Sequence, residues 1–564
     1  MTALSSILSD HWEIGLFLAL ALGYAIGKIK IVGHAMGLVT GSLFAGLLIG
    51  QLGVEIRPEV KTVFLLLFLF ANGYGAGPQF FRALRSDGVK PLILTLLITF
   101  LGLGCVYGMA RLMGLETGFA AGLLSGALTQ SSAIGTASEA IMGLDLPMAE
   151  RQRLVNQIPV ADAVCYLFGF WGEVFFVAML LPKLLKIDLE KEARALDAKL
   201  GLSSAQAGVK SAYRLRAARS HRVENAAAIG LSVGEIEARA LAQGARVVLH
   251  RLRRDGEIRD CAPADRLAAG DIVVVAGLRA AILETGALLG PEHDDADLLD
   301  MPIETLDAVV TNRKLAGQSL GQLAAERPEA RGIFVKSLRR GGQAMPLAAS
   351  TVLNRGDVLT LIGPVAAVER AVVQIGFADR ATVTTDMLTI GLGVAAGCLI
   401  GLPAVTFFGI KLSLSTAVGT LLMGLFFGWF RSVKPNLLGR VPEASQAFMM
   451  NFGLAGFVAM TGLHAGPVFL PALMESGVAL FIAGVVCTCV PPTVGAFFGK
   501  YVLKMNPVLL LGAVSGAQTM TAAMVAVQEQ AKSRAPVLGF TVPYALGNII
   551  LTIWGTVIVL LMAE

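Results

Sequence analysis

GLLSGALTQSSAIGTAS, residues 122–138, comes back near the far end of the chain as GAVSGAQTMTAA, residues 512–523. Each copy lies in apolar surroundings, yet its centre is small and polar: Thr129, Gln130, Ser131 and Ser132 in the first, Gln518, Thr519 and Thr521 in the second. A bilayer accepts such a centre where the polar groups line a protein-enclosed space, because a polar group left unsatisfied in lipid costs several kcal/mol. Two such interruptions at matching places in two halves of a chain point to a transport site. The alternative reading is a polar seam that holds helices together through small residues.

Composition sets the class. The chain has 564 residues, of which 55% are hydrophobic and only 15% charged, the balance of a multi-span α-helical membrane protein. The net charge of +5 is scattered through loops and suggests no nucleic-acid partner. The six cysteines show no metal-ligand spacing, no cofactor motif is present, and the absence of a Walker sequence disfavours ATP-driven transport. The N-terminus has no basic region or small-residue cleavage site ahead of the run from Trp12 to Gly27, so that run reads as a retained span.

Working outward, apolar runs from Trp12, Gly37, Val60 and Pro91 precede the first polar centre, and IPVADAVCYLFGFWGEVFFVAMLLP follows it. The third run ends in ANGYGAGPQFF, where the glycines and Pro78 are expected to break the helix. From Thr389 the spans resume in the same order. GLVTGSLFAGLLIG aligns with AVGTLLMGLFFG, GYGAGPQFFRALRSDGV with GLHAGPVFLPALMESGV, and SGALTQSSA with SGAQTMTAA. These ordered matches identify an internal duplication, with membrane repeats at 10–185 and 384–562.

Between the repeats the composition turns charged and Ala-rich. Two units, 204–290 and 300–380, carry short β-rich runs and a Gly-Asp turn, Gly270-Asp271 and Gly356-Asp357, before a strand rich in β-branched residues or Leu. They resemble TrkA-C (RCK_C) domains, the second through NRKLAGQSL as well. That resemblance implies regulation by a small ligand, or dimerisation.

If each polar segment enters and leaves on one face, each repeat has about five spans plus a re-entrant hairpin. The loops at 28–34, 82–90, 183 onward, 431–440, 500–504 and 528–536 then share a side and hold most of the loop Lys and Arg. The excess of positive loops makes that side cytoplasmic, with both termini outside and the repeats inverted. Arg151 and Arg153 fall on the other side. If the hairpins crossed fully, the repeats would be parallel and the positive loops would not sort.

The whole arrangement resembles the aspartate:alanine exchanger (AspT-like) family, carried by GYGAGPQFF, SGALTQSSA, their second-half counterparts, NRKLAGQSL and LNRGDVLTLIG. The resemblance implies an antiporter for small carboxylates in the bacterial inner membrane, aspartate for alanine first and succinate export as the alternative, and no enzyme. The local chemistry agrees, since hydroxyls, carboxamides and helix N-termini bind carboxylates without a fixed cation. Asn156, Asp162, His464 and Asn548 are further candidates for coupling an ion or contacting substrate, and an intramembrane carboxylate such as Asp162 or Glu173 is a functional candidate by default. A homodimer is expected. A channel gated by the TrkA-C-like units is the competing class, but GYGAG and GLHAG are poor copies of a carbonyl filter.

The charge sorting makes a topological prediction. A cysteine near Ser5 or Glu564 labels from outside intact cells, and one near Asp188 labels only after permeabilisation. Labelling of both ends from the cytoplasm would remove the scheme.

Overall fold

The computed structural model describes residues 8–563 apart from 9–10, 32–33, 36, 55–57, 84–88, 201–215, 243–246, 327–330, 341–342, 381–384, 408–409, 414, 435–436 and 440. Arg85 of the basic loop, the start of the first TrkA-C-like unit at 204–215, Ser5 and Glu564 lie outside the described residues. The chain divides into two compact units, one of 1–199, 339–346 and 381–564, the other of 200–338 and 347–380.

In the membrane unit, repeat 1 comprises α1 (Trp12–Gly27), a ribbon of β1 (Lys30–Ile31) and β2 (His34–Ala35), α2 (Leu38–Gly50), α3 (Pro58–Ala83), α4 (Val89–Leu112), α5 (Thr117–Ala127), α6 (Ser132–Met142) and α7 (Met148–Phe175). α7 runs on through a π turn, Phe176–Leu180. Among the described residues six helices are long and apolar enough to cross a membrane.

The α5–α6 hairpin is re-entrant. Each leg has 11 residues, about 16 Å at 1.5 Å per residue, half the thickness of a hydrocarbon core. Both outer ends sit at the start of α7: Glu116 pairs with Arg153 at 2.9 Å, and Arg151 donates to the Met142 carbonyl at 2.6 Å. The two arginines that strained the charge sorting are thus fastened to the feet of the hairpin.

The central unit holds two small α/β modules. The first has β3 (Arg216–Arg222), α8 (Val233–Ala242), β4 (Val247–Arg254), β5 (Glu257–Asp260), β6 (Ile272–Leu278) and α9 (Arg279–Leu289), with strand order 3-6-4-5. The second has β7 (Ile303–Val310), α10 (Leu320–Glu326), β8 (Phe334–Arg340), β9 (Gln343–Met345), β10 (Val358–Pro364), α11 (Val365–Ile375) and β11 (Gly376–Asp379), with order 11-7-10-8-9; β9 and the last two residues of β8 are counted with the membrane unit.

The Gly-Asp dipeptides do the same job in both modules. Gly270 and Gly356 take φ of 88° and 85°, a left-handed turn that glycine adopts freely. The aspartate that follows is buried and accepts the backbone N–H three residues back, Ala268 or Asn354. Burial acts to raise the pKa of Asp271, but Arg254, bonded to both its oxygens at 2.9 and 2.7 Å, and the Ala268 N–H hold it below the usual carboxylate range. Arg331 fastens the modules together, with a forked pair to Glu237 and bonds to the Leu249 and Cys261 carbonyls.

Repeat 2 of the membrane unit has α12 (Met387–Gly401), a ribbon of β12 (Ala404–Phe407) and β13 (Ile410–Ser413), α13 (Thr416–Val433), α14 (Glu443–Tyr501), a second hairpin of α15 (Pro507–Ala517) and α16 (Thr521–Ala531), and α17 (Pro536–Ala563). The hairpin legs again have 11 residues each. The outer part of α15 lies by the start of α17, since Gly512 packs on the Pro536 carbonyl and Gly539 on that of Leu509, and α16 ends at Ala531, five residues before α17 begins.

Two bonds fix the inversion. Arg111, at the end of α4 just before the first hairpin, donates to the Leu561 carbonyl at the end of α17. Lys500, at the end of α14 just before the second hairpin, donates to the Leu185 carbonyl just past α7. Each hairpin therefore starts on the face where the other repeat's last helix ends, and α7 and α17 run in opposite directions. The repeats are inverted.

Two expectations need correction. ANGYGAGPQFF does not break a helix; α3 runs through it with Pro78 inside. Its glycines serve a helix crossing: a Cβ on Gly73 or Gly77 would fall 2.3 Å from the Leu421 or Leu425 carbonyl oxygen of α13. In return, Gly424 and Gly428 of α13 meet the Phe70 and Tyr74 carbonyls. The separate third and fourth spans of repeat 2 are also absent. α14 is helical over 59 residues, about 88 Å, far more than one crossing. Its first stretch, to Gly466, packs on α2 and α3, and its last, from Leu480, on α4, α5 and α7. Residues 467–479 join them, with Leu470, Met474 and Val478 exposed.

This division runs through the membrane unit. α1–α3, α12, α13 and the first stretch of α14 form one packed group, and α4–α7, α15–α17 and the last stretch of α14 form another.

The crossing of α3 and α13 yields a prediction. Gly428→Ala forces a Cβ to within 2.0 Å of the Tyr74 carbonyl oxygen and should cost about 1–3 kcal/mol, read as a lower melting temperature in detergent. Gly391→Ala, with nothing within 4 Å, is the control and should leave it unchanged.

Candidate functional site

The hairpin tips close in the same way. At the first, the Thr129 N–H donates to the Gly126 carbonyl at 3.3 Å and the Gln130 N–H to that of Ser125 at 2.8 Å. At the second, the Thr519 and Met520 N–H groups donate to Gly516 and Ser515, both at 2.9 Å. Thr129 and Thr519 hold φ of 52° and 60°, a left-handed conformation that a β-branched residue rarely adopts and that costs on the order of 1–3 kcal/mol. Duplicated strain at two buried turns marks a geometry that the surroundings enforce.

The tips meet. Thr129 Oγ1 donates to the Gln518 carbonyl at 3.2 Å, and Thr519 Oγ1 donates to Gln130 Oε1 at 2.9 Å. Gln130 Nε2 reaches Thr552 Oγ1 at 2.9 Å, Ser132 Oγ at 2.5 Å and the Asn548 carbonyl at 3.3 Å. Ser132 and Thr552 share a hydroxyl contact of 2.5 Å, and Thr136 Oγ1 donates to the Thr552 carbonyl at 2.7 Å. α6 and α16 both begin at the meeting point, so two helix N-termini face it and supply partial positive charge.

Gln518 differs from the rest of the cluster. Its side chain is 1% exposed, and neither Oε1 nor Nε2 has a hydrogen-bond partner. A buried amide left without partners costs about 1–3 kcal/mol for each group. A donor and an acceptor left over at such a position can be taken up by a bound solute.

The other candidates lie apart from this cluster. Ser131 is buried, with its carbonyl bonded by the Ile134 N–H at 3.2 Å. Thr521 is exposed at the start of α16. Asp162 is 2% exposed and accepts from Ser125 Oγ at 2.5 Å, tying α7 to α5. Asn156 accepts from Gln152 one turn earlier on α7. His464 lies between Leu463 and Gly466, whose backbones pack on α2 at Gly50. Glu173 is fully buried with neither carboxylate oxygen bonded.

Sequence reasoning missed Thr552 and Thr136. The signal was present as spacing: Thr552 follows Asn548 by four residues and Thr136 follows Ser132 by four, so each pair shares a helix face. Among the described residues no group of three or more His, Cys, Asp or Glu is placed to hold a metal. The cluster offers hydroxyls, carboxamides, carbonyls and helix N-termini, groups that can hydrogen-bond a small polar solute.

Comparison with known proteins agrees with this architecture. A family model described as a predicted permease membrane region matches 15–182 and 389–560, and the TrkA-C domain model matches 220–290 and 306–376. An uncharacterized transporter of Bradyrhizobium diazoefficiens is 42% identical, covering 92% of this chain and all of its own. One from Bordetella parapertussis is 40% identical over 99% of this chain and 98% of its own, and one from Shewanella oneidensis is 37% identical over the full length of both. No solved structure matches. With both membrane regions and both central domains matched in order, the chain belongs to the aspartate–alanine exchanger family of permeases and is a membrane transporter.

Proposed function

We propose that the protein is a secondary antiporter that exchanges small carboxylates, aspartate for alanine first, across the bacterial inner membrane by alternating access. The observation that carries the reading is Gln518, buried at the meeting of the two hairpin tips with its amide donor and acceptor both unused. An amino-acid zwitterion matches both: a carboxylate accepts from Nε2 and an ammonium donates to Oε1. Succinate export is the weaker alternative, since a dicarboxylate leaves Oε1 without a donor.

In this reading Thr129, Gln130, Ser131, Ser132, Gln518 and Thr519 form the binding set, with Asn548 and Thr552 holding Gln130 in place. The carboxylate sits where the N-termini of α6 and α16 converge, which favours negative charge without a lysine to retain the ligand. Thr129 and Thr519 give up their bonds to the opposite tip and donate to the substrate instead. Because the hairpins reach the site from opposite faces, withdrawing one tip opens it to one side and withdrawing the other opens it to the second. The TrkA-C domains on the cytoplasmic side adjust rate or dimerisation through a small ligand, and the protein works as a homodimer.

Gln518→Leu separates this reading from a packing seam. Losing hydrogen bonds to a charged ligand costs about 1.5–3 kcal/mol each, so the KM for labelled aspartate in proteoliposome counterflow should rise roughly 10- to 100-fold. The same change removes two unsatisfied buried atoms and should leave the melting temperature equal or higher. Wild-type KM in Gln518→Leu, Gln130→Ala and Thr519→Ala together would return the tips to a packing role.

A further inference from the structure

ANGYGAGP is a motif for which the binding set has no use. Gly73 and Gly77 serve the crossing with α13, but Asn72 and Gly75 do not take part in it. Both line a cavity of about 330 Å³ between the two helix groups, together with Gln446 of α14, Thr541 and Tyr544 of α17, and Arg340 and Gln343 of the β8–β9 segment. Gln446 donates to the Ala71 carbonyl at 3.2 Å and lies so close to Gly75 that a Cβ there would be 2.1 Å from Nε2. The middle glycine makes room for an amide at the cavity wall.

Asn72 is 6% exposed, and its Nδ2 has no hydrogen-bond partner. The inverted repeat supplies a comparison. Thr461, immediately before GLHAGP, occupies the matching place and satisfies its own hydroxyl by donating to the Phe457 carbonyl at 2.7 Å. Repeat 2 therefore closes this position internally, while repeat 1 leaves a donor facing a cavity.

The cavity stops short of the hairpin tips by one turn of α17. Tyr544 lines it, and Asn548 Nδ2 donates to the Tyr544 carbonyl at 3.1 Å while the Asn548 carbonyl accepts from Gln130. One turn is about 5.4 Å, roughly the length of a small amino acid. The cavity lies toward the face on which α14 and α17 begin, because Glu443, the first residue of α14, and Thr541 are both in its wall.

We propose that this cavity is an outer binding site for the carboxylate of the transported molecule, occupied on the way between that face and the tips. The proposal rests on the reading of the tips as the inner site. Asn72 Nδ2 donates to the carboxylate, and the Gln446 amide and Thr541 line its path. A solute leaving water meets a donor here before the hairpin opens, so the first part of its hydration shell is replaced outside the inner site.

An outer site belongs to one face, whereas the inner site serves both, and this makes the two separable. In proteoliposomes of known orientation, counterflow of labelled aspartate is measured with KM determined from each face. Asn72→Leu should raise KM about 10-fold from the cavity face, matching one lost hydrogen bond to a charged group, and leave KM from the other face at the wild-type value. The unchanged face shows that the variant is folded. Asn72→Asp, similar in size but negatively charged, should raise the cavity-face KM further.

The proposal is overturned if Asn72→Leu leaves both KM values unchanged, or raises both alike, which would make Asn72 part of the inner site. Gln518→Leu, run in parallel, should raise KM from both faces. If it changes neither while Asn72→Leu still changes one, the tip reading fails and the outer site stands.

Discussion

Each hairpin stops a helix inside the membrane unit, and stopping a helix there exposes amides and carbonyls that lipid cannot satisfy. The structure answers by making each interruption the partner of the other. The Gln518 carbonyl accepts from Thr129 and the Gln130 side chain from Thr519. The carbonyl of Ala127, last residue of α5, accepts from Thr488 on α14 at 2.9 Å. Neither break is tolerable alone, and the need to bring them together dictates inversion: only hairpins arriving from opposite faces can meet at their tips.

That meeting requires helices to pass very close together, and glycine provides for it. The legs lie on their own repeat's last helix with Gly118, Gly122 and Gly126 against the Leu154, Ile158 and Asp162 carbonyls. α3 and α13 cross with glycines on both sides. Between the two helix groups a direct polar link is Glu139 of α6, whose carboxylate accepts from the Thr416 N–H at 2.7 Å, the Thr416 hydroxyl at 2.8 Å and the Ala417 N–H at 3.0 Å. It caps the first turn of α13, where a negative charge offsets the helix dipole. The matching residue of the second hairpin is Glu529, which is exposed, and the matching helix α2 follows Gly37 with no side-chain cap. The two halves share a fold and differ in how firmly each hairpin is tied to the other helix group.

The duplication and the hairpins were legible because they depend on composition: a run of glycine, serine and threonine within apolar sequence is costly in a bilayer unless protein encloses it. ANGYGAGP has a similar composition, yet there the helix continues. What separates the cases is the surroundings, since α13 offers glycines opposite Gly73 and Gly77, and that pairing joins residues more than 340 apart. Thr552 and Thr136 were hidden for a different reason. A threonine within a helix commonly bonds the carbonyl one turn back, as Thr552 does to Asn548 at 2.6 Å, so its presence alone says little. The partner of Asp162 was equally out of reach, because Ser125 sits on another helix and reads as part of the glycine-rich face.

Alignment of the tips shows where symmetry ends. Thr129 falls opposite Thr519, and these two carry the shared strained turn. The glutamines are not opposite each other: Gln518 matches Leu128, and Gln130 matches Met520. Each tip therefore brings one carboxamide, one residue before the strained threonine in the second hairpin and one residue after it in the first. Gln130 is held by five oxygen atoms of its surroundings, counting Thr519 on its acceptor side, and Gln518 by none. The backbone frame is nearly two-fold while the polar groups inside it are one-sided. An inverted repeat gives a site that can be reached from either face. In the proposed reading, the unequal glutamines give that same site a single chemical orientation, which suits an asymmetric solute such as an amino acid better than a symmetric one.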